Sequence, residues 1–564
     1  MKKIKIENYA IFVAISLIVL FVLLFLIGPL FVLLREGFFV NASKISDYLI
    51  EIFQSGPITQ SLKNTLLMAC LTVFTVNILG IFELLVTKVY RIKYSKIFET
   101  IFSVALVSNG IIIVMGYLFL FGANGIANMF LSNIFPSFDI NWFRGWIPIL
   151  LVHTFSFTIF YLFFVGDAIN MIDNSIIESA ISLGANNKQI FFKVILPIIK
   201  PTLITSSIFV FLFAIGSNAA PTFLGGKLFP MINPTIRNLN SIGDNKTAII
   251  LSVILGMIAA ITYVLMILQQ RKRKLFTQSK AAEPFKKMEL DSKKVKNILT
   301  ILAILICFIY ILPLFTSLFF SFTSISTIYL KQWDGVLTLD NYIRVFNDLS
   351  ILGPILNSVV LSLSASIAAL VIGISVVLLN KQYQNILTKL LENIFTLVWM
   401  LPSIVLAIGI SVMYSDLPFN FKFDKSLLLP CAYVLIVVYI VIYNTKAILR
   451  NVNYDMIEAA QSLSSGKLNI VFKIILPILK PSIVSSGMIC FNILLTEYTI
   501  SEILYTYKNI PISILFRSEL SNPSSYQMAN ILIYTIIIII ISLVLFIIQA
   551  NIKKREQEKY SLLW

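Results

Sequence analysis

Long apolar runs constrain this sequence more than any other feature. Twelve runs of about 20 residues are each long enough to cross roughly 30 Å of hydrocarbon as a helix. Only 13% of the 564 residues are charged, against about 25% in soluble proteins. The sequence therefore predicts an all-α integral membrane protein with about 12 transmembrane helices. The runs fall near 10–34, 62–86, 97–121, 146–168, 202–224, 247–270, 297–320, 355–379, 392–414, 427–448, 482–503 and 528–550.

The chain also repeats itself. Residues 178–201 and 458–481 align without a gap at an offset of 280, with 13 of 24 positions identical. This duplication predicts two tandem six-helix halves, 1–274 and 297–564, joined by a basic cytoplasmic linker at 275–296. An even number of helices makes the halves parallel repeats about an axis along the membrane normal. We expect a translocation path on that axis.

The distribution of charge predicts the orientation. The formal net charge is +17, and most lysines and arginines fall on one side if the N-terminus is cytoplasmic, as the positive-inside rule requires. Both termini and both repeated loops are then cytoplasmic. The basic linker is interpreted as a solvated segment near anionic headgroups, and nucleic-acid binding is excluded. The uncharged run 11–34 exceeds a signal-peptide core, which indicates a retained helix.

Little in the sequence suggests catalysis. The four cysteines lie in or beside apolar runs and are interpreted as packing residues, with no metal site expected. The single histidine, His153, is interpreted as a hydrogen-bonded structural residue rather than a ligand. Gly466-Lys467 lacks the preceding glycine and the following Ser or Thr of a phosphate-binding loop. The chain is therefore expected to be no enzyme, to bind no cofactor and to hold no ATP site of its own.

The two repeated loops carry the pattern of a contact surface. In each, a carboxylate opens a short helix, Glu178 or Glu458, and small residues follow it. Gly184 breaks the first copy, and each run ends in Leu-Pro, where proline is expected to start the next membrane helix. Such a helix-turn-helix at the membrane surface predicts a partner-binding site used twice. The alternative is an amphipathic loop that merely lies on the bilayer.

These loops resemble the EAA loop of ABC importer permeases. The matching residues are Glu178, Ala180, Gly184, Leu196 and Pro197, with Ser179 in place of the first alanine, and Glu458, Ala459, Ala460, Leu476 and Pro477. Ser464 replaces the glycine of the second copy, with Gly466 two residues later. The resemblance implies the transmembrane domain of a type I importer. It also implies that both loops are coupling helices for two copies of a cytoplasmic ATP-binding subunit, whose basic groups meet Glu178 and Glu458.

The arrangement of two halves on one chain narrows the resemblance. Segments 121–125, 221–226 and 496–501 resemble the permeases for ferric iron, thiamine and 2-aminoethylphosphonate. The resemblance implies a bacterial cytoplasmic membrane and an extracytoplasmic substrate-binding protein that delivers the cargo. Ferric iron is the first choice, and thiamine, a phosphonate or a polyamine stay open.

One acidic residue stands deep in an apolar run. Glu497 lies sixteen residues after Pro481, about 24 Å along a helix, where ionisable groups usually face an aqueous path or a partner. The duplication aligns it with Ser217, next to Asn218. These three residues are predicted to line the translocation path. The alternative is a carboxylate paired with a polar neighbour for helix packing.

A secondary transporter with two six-helix halves is the rival from another class, since such proteins are also parallel duplications. It would not need two matched loops. The sequence also shows no second buried acid or chain of ionisable groups that would suggest proton coupling.

Overall fold

The computed structural model of the chain is built from helices. It describes residues 2–39, 45–103, 110–122, 125–271, 283, 285–290, 292–330, 334–383, 385–415, 424–449, 460, 462, 466–521 and 524–561. Within these ranges, β pairing is limited to two isolated bridges, Tyr90 with Met288 and Thr323 with Leu337. The all-α prediction is confirmed.

Ten helices in the described part are long and apolar enough to cross a membrane. An eleventh span is possible if the bent pair Ile386–Met400 and Ser403–Ser415 counts as one, with 107° between its arms. The predicted span 97–121 corresponds to Ser95–Phe102 and Gly110–Phe121, with the residues between them outside the description. The prediction of about twelve spans is therefore close. Among the described residues, ten or eleven spans are long and apolar enough to cross a membrane.

Two compact units form. The first unit contains residues 44–343 and 522–536, and the second contains 1–43, 344–521 and 537–564. The first unit is built from Ile45–Gln54, Gly56–Leu84, Ser95–Phe102, Gly110–Phe121, Ile126–Ile134, Trp146–Phe157, Gly166–Asn170, Asn174–Ser182, Asn187–Ile190, Leu196–Gly216, Ile232–Ser241, Asn245–Arg271, Lys293–Ser321 and Ile325–Leu330. The second unit contains Lys2–Val22, Gly28–Leu34, Leu349–Tyr383, Ile386–Met400, Ser403–Ser415, Leu428–Leu449, Lys467–Ile470, Leu476–Leu495, Thr499–Leu504 and Ile512–Ser521. Asp340–Asn347 and Ser525–Ser561 extend across the divisions.

Each unit includes the first membrane helix of the opposite half of the sequence. A Cβ atom built on Gly116 would lie 2.7 Å from Pro313, in the first unit. One built on Gly409 would lie 3.1 Å from the carbonyl oxygen of Pro29, in the second unit. Glycine in the third helical segment of each half thus lets a proline-bearing helix approach closely. The compact units consequently cross the sequence boundaries at 274 and 297.

A second packing contact also occurs in both halves. A Cβ on Gly80 would come within 2.6 Å of the Tyr161 ring, and one on Gly373 within 2.8 Å of Val441. These pairs bring the second and fourth membrane helices of each half together. The two halves therefore pack these helices in the same way, although the side chains at the contacts differ.

The fifth membrane helix of each half contains a π-helical turn near its start. A π-helical turn, Phe191–Ile195 or Val471–Ile475, comes directly before the Leu-Pro pair. The helices run continuously through it, as Asn187–Gly216 and Val471–Leu495. Pro197 and Pro477 stand at the first positions of the α-helices Leu196–Gly216 and Leu476–Leu495, as predicted. The π-helical turn ahead of each proline shifts the hydrogen-bond register before the residue that lacks an N–H, so the helix also extends back beyond the proline.

Candidate functional site

The first repeated loop begins with the helix Asn174–Ser182. Asp173 caps it by accepting a hydrogen bond from the Ser175 N–H at 3.0 Å, and this bond lowers the pKa of the Asp173 carboxyl. Glu178 therefore lies in the second turn and does not open the helix as predicted, since the capping residue lies five positions earlier. Ser179 is exposed and Ala180 packs against the core.

A tight turn follows. Gly184 has φ +80°, a left-handed conformation that glycine adopts without steric cost. Asn186 and Gln189 then form a capping box that starts the next helix, which contains Leu196 and Pro197. The loop is therefore a helix, a glycine turn and a second helix that continues into the membrane segment.

The first helix turns apolar side chains toward solvent. Asn174 and Ile177 are buried, whereas Ile176, Ile181 and Leu183 are exposed, Leu183 by 88%. The Glu178 side chain is 60% exposed. The loop thus presents apolar groups around a carboxylate. We call the exposed residues Ile176, Glu178, Ile181 and Leu183 the loop surface.

Part of the predicted solvated linker is docked beside this surface. The Lys286 ammonium lies 3.8 Å from Glu178 Oε1, and Asn174 Nδ2 donates to the same oxygen at 2.6 Å. The pKa of Lys286 is raised, first by its hydrogen bond to Glu283 and then by the charges of Glu283 and Glu178. Met288 is only 6% exposed. Interpretation of the whole linker as solvated is wrong, because Met288 is an apolar anchor within it.

The second loop is described only in part. Glu458, Ala459 and Ser464 lie outside the described residues, and Ala460 is helical. Leu476 and Pro477 lie in the helix that starts at Lys467. That the second loop has the same conformation as the first therefore stays a prediction from the repeated sequence.

The predicted path residues of the first half lie at a helix break. Helix Leu196–Gly216 ends, Ser217 and Asn218 are non-helical, and the chain becomes helical again at 219. His153 Nε2 lies 2.9 Å from Ser217 Oγ. Asn233 Nδ2 donates to the carbonyls of Ile215 at 3.1 Å and Ser217 at 2.9 Å. The side chain of Asn218 accepts from Thr222 Oγ1 at 3.1 Å.

The second half breaks at the aligned position. Glu497 is 9% exposed, and its carboxylate accepts hydrogen bonds from the N–H groups of Ile500 at 2.9 Å and Ser501 at 3.1 Å. It thereby caps the short helix Thr499–Leu504. The polar neighbour of the packing alternative is thus present, and it is the backbone of the following turn. Ser217 and Asn218 belong to the first unit and Glu497 to the second.

A second buried acid was missed. Glu83 is fully buried within the span Gly56–Val89, so the statement that the sequence shows no such acid is wrong. Tyr310 donates to Glu83 Oε1 at 2.8 Å, and Thr158 Oγ1 lies 2.6 Å from the Tyr310 oxygen. Glu83 Oε2 has no hydrogen-bond partner among the described residues. The signal was an acidic residue inside the apolar run 62–86.

Comparison with known proteins agrees with this architecture. Residues 369–558 match the family model "binding-protein-dependent transport system inner membrane component". A probable ABC transporter permease protein of Sinorhizobium fredii is 29% identical over 537 residues, covering 94% of both chains. The ferric transport system permease protein of Actinobacillus pleuropneumoniae is 24% identical over 86% of this chain and 70% of its own length. A putative 2-aminoethylphosphonate transport system permease protein of Salmonella paratyphi A is 25% identical over 41% of this chain and 86% of its own.

The fold and these matches define an integral membrane transport subunit with the type I permease architecture. The chain is similar to ABC importer permeases over 94% of its length, and its apolar helices make it a multi-pass membrane protein. The family implies an ATP-binding subunit and a substrate-binding protein as partners in general.

Proposed function

We propose that the loops 178–201 and 458–481 are the docking points for two cytoplasmic ATP-binding subunits, which bind ATP and Mg²⁺ and drive import by this permease. The observation that carries the proposal is the loop surface of the first copy. Leu183, exposed by 88%, stands at the tip of a polar loop beside the exposed Ile181 and Ile176. Clustered exposed apolar side chains mark interaction sites.

The chemistry of the surface suits a protein cleft. Burying a leucine side chain contributes about 1.5–3 kcal/mol, so Leu183 and Ile181 supply affinity. Glu178 supplies orientation, because a charge at the rim of an interface fixes register and partner choice more than affinity. We assign the same roles to Glu458 and its neighbours by the duplication, with the small residues Ser179, Ala180, Ala459 and Ala460 permitting close approach.

The second helix of the loop connects docking to the membrane interior. Through its π-helical turn it continues past Leu196 and Pro197 to Gly216, where the break at Ser217 and Asn218 begins. Movement of the loop is therefore transmitted along one continuous helix to that break. We propose Ser217, Asn218 and Glu497 as path residues, and alternating access driven by the different affinities of ATP-bound and free states.

Orientation and cargo complete the proposal. Both termini and both loops lie on the cytoplasmic side, and an extracytoplasmic binding protein delivers the substrate from the other. We propose ferric iron as the cargo, supported by similarity to a ferric permease over 86% of this chain. A phosphonate is the second candidate, supported by a match over 41% of the chain.

Capture of the ATP-binding subunit tests the docking sites. Glu178→Lys together with Glu458→Lys should abolish capture by the purified permease, because both changes reverse the charge offered to the cleft. Glu51→Lys, an exposed acid on the connection predicted to face outside, is the matched control and should capture normally. Wild-type affinity in the double variant would overturn the assignment of both loops.

Vesicle transport tests the energy source. Uptake should require ATP on the side of the loops and persist with a proton uncoupler while ATP is maintained. Uptake that follows the proton gradient and ignores ATP would favour the secondary-transporter class.

The same vesicle assay tests the cargo. Radioactive ferric iron should accumulate with its binding protein present, and 2-aminoethylphosphonate should not compete. Accumulation of the phosphonate instead of iron would show that the phosphonate is the cargo.

A further inference from the structure

The linker between the halves lies along the base of the first loop. The Asn174 N–H donates to the carbonyl of Glu283 at 3.1 Å, and the Lys286 N–H donates to Asn174 Oδ1 at 3.1 Å. Asn187 Nδ2 donates to the carbonyl of Glu289 at 2.9 Å. The linker therefore bonds to the helix that carries Glu178 and to the helix that follows the turn.

The same segment is anchored to a neighbouring membrane helix. The Met288 N–H donates to the carbonyl of Val89 at 2.9 Å, and the Arg91 N–H donates to the carbonyl of Met288 at 2.9 Å. The Met288 side chain lies in the core cluster, with Phe285 and Leu290 packed against it. The segment is thus fixed by backbone pairing and by a buried apolar side chain.

The ion pair of Lys286 contributes less than these anchors. Its side chain is 67% exposed and that of Glu178 60%, at a separation of 3.8 Å. Exposed pairs of this kind are weak, so a basic group of a partner can replace Lys286 on Glu178. Loss of the buried Met288 side chain has no such substitute, because its site would be left unfilled. The anchors, and not the charge, hold the loop in place.

We infer that residues 283 and 285–290 are a brace that positions the first coupling helix for its ATP-binding subunit. This inference rests on the proposed docking function of the loop. The brace leads directly into helix Lys293–Ser321, whose Pro313 packs against Gly116 and whose Tyr310 bonds to Glu83. A displacement of the coupling helix therefore moves two membrane helices. One follows the loop, and the other, Lys293–Ser321, follows the brace.

The test compares anchor and charge. In nanodiscs, Met288→Asp should weaken binding of the purified ATP-binding subunit of the same transporter about tenfold, equivalent to about 1.4 kcal/mol. Trypsin should cleave the variant faster after Lys286 and Lys287, because the backbone pairing is lost. Lys286→Ala should change affinity less than about threefold. Met288→Leu should keep the affinity and the protection from trypsin of the wild type, since leucine fills the same site.

Lys294→Ala, an exposed lysine outside the brace, is the matched control. Asn174→Ala, which removes one side-chain hydrogen bond to the segment and one to Glu178, is the second variant if Met288→Asp melts too early to assay. Wild-type affinity in a folded variant whose segment trypsin cleaves rapidly would overturn the inference, and so would a Lys286→Ala effect as large as that of Met288→Asp. The proposed function fails separately, when Glu178→Lys with Glu458→Lys still captures the subunit.

Discussion

The two halves of this permease break their fifth membrane helix at the same place and satisfy the break differently. At 217–218 the partners come from other helices: Asn233 donates to two carbonyls and His153 contacts Ser217. At 497–498 the partner is local, since Glu497 accepts from the N–H groups of the next turn. The duplication aligns His153 with Tyr433, Ser217 with Glu497 and Asn233 with Ser513.

The helix break is therefore common to both halves, although different residues support it in each. A helix break inside a membrane protein exposes N–H and C=O groups that water cannot reach, so they must be paired within the protein. The first half pairs its orphan carbonyls with an amide, and the second pairs its orphan N–H groups with a carboxylate. Each choice makes a different position indispensable.

The largest expected effect is at Asn233. Asn233→Ala removes donors to the buried carbonyls of Ile215 and Ser217, and leaving each unsatisfied costs roughly 1–3 kcal/mol. We expect a lower melting temperature in detergent or nanodiscs. Ser513→Ala at the aligned position is the matched control, because Ser513 Oγ has no hydrogen-bond partner among the described residues. Its effect should be smaller than that of Asn233→Ala, because no hydrogen bond to a described residue is lost with the Ser513 hydroxyl. Equal losses of stability in the two variants would contradict the different support of the two breaks.

Substitution of Glu497 separates a role in supporting the helix break from a role in transport. Glu497→Ala leaves the N–H groups of Ile500 and Ser501 without their acceptor, a cost on the order of 1–3 kcal/mol. If Glu497 also lines the path, transport and the ATPase stimulation by the binding protein should fall in folded protein, with capture of the ATP-binding subunit unchanged. Melting temperature and stimulated ATPase rate are measured on one preparation. An early-melting variant that transports normally once folded contradicts the path assignment, and Ser217 loses its own with it.

A smaller effect is expected at Tyr433. Its hydroxyl lies 2.6 Å from Ser501 Oγ, beside the turn that Glu497 caps. Tyr433→Phe removes this hydrogen bond and keeps the ring, so the free energy of unfolding should fall by about 1 kcal/mol. The effect should shrink in a Glu497→Ala background, because the capped turn is already weakened there. Additive losses in the double variant would show that the hydroxyl does not act through the capped turn.

Apolar runs and the repeated loop sequence predicted much of the architecture. Hydrophobicity over about 20 residues identifies membrane helices because hydrocarbon excludes polar groups along the whole span. The turn at Gly184 was also predictable, since glycine accepts a positive φ. By contrast, Glu83 was overlooked inside an apolar run. Its hydrogen-bond partner Tyr310, and Thr158 which contacts Tyr310, are far from it in the sequence.

The amino-acid sequence alone was enough to predict the class of protein, the duplication and the loops on which a partner is proposed to dock. Each of these depends on local composition or on spacing along one helix. The folded structure was needed to show that Met288 fixes the linker beside Glu178, that each compact unit includes the opposite half's first helix, and that Asn233 supports Ser217. Such contacts depend on which surfaces meet after packing, because glycines such as Gly116 and Gly409 permit close approach without specifying the partner.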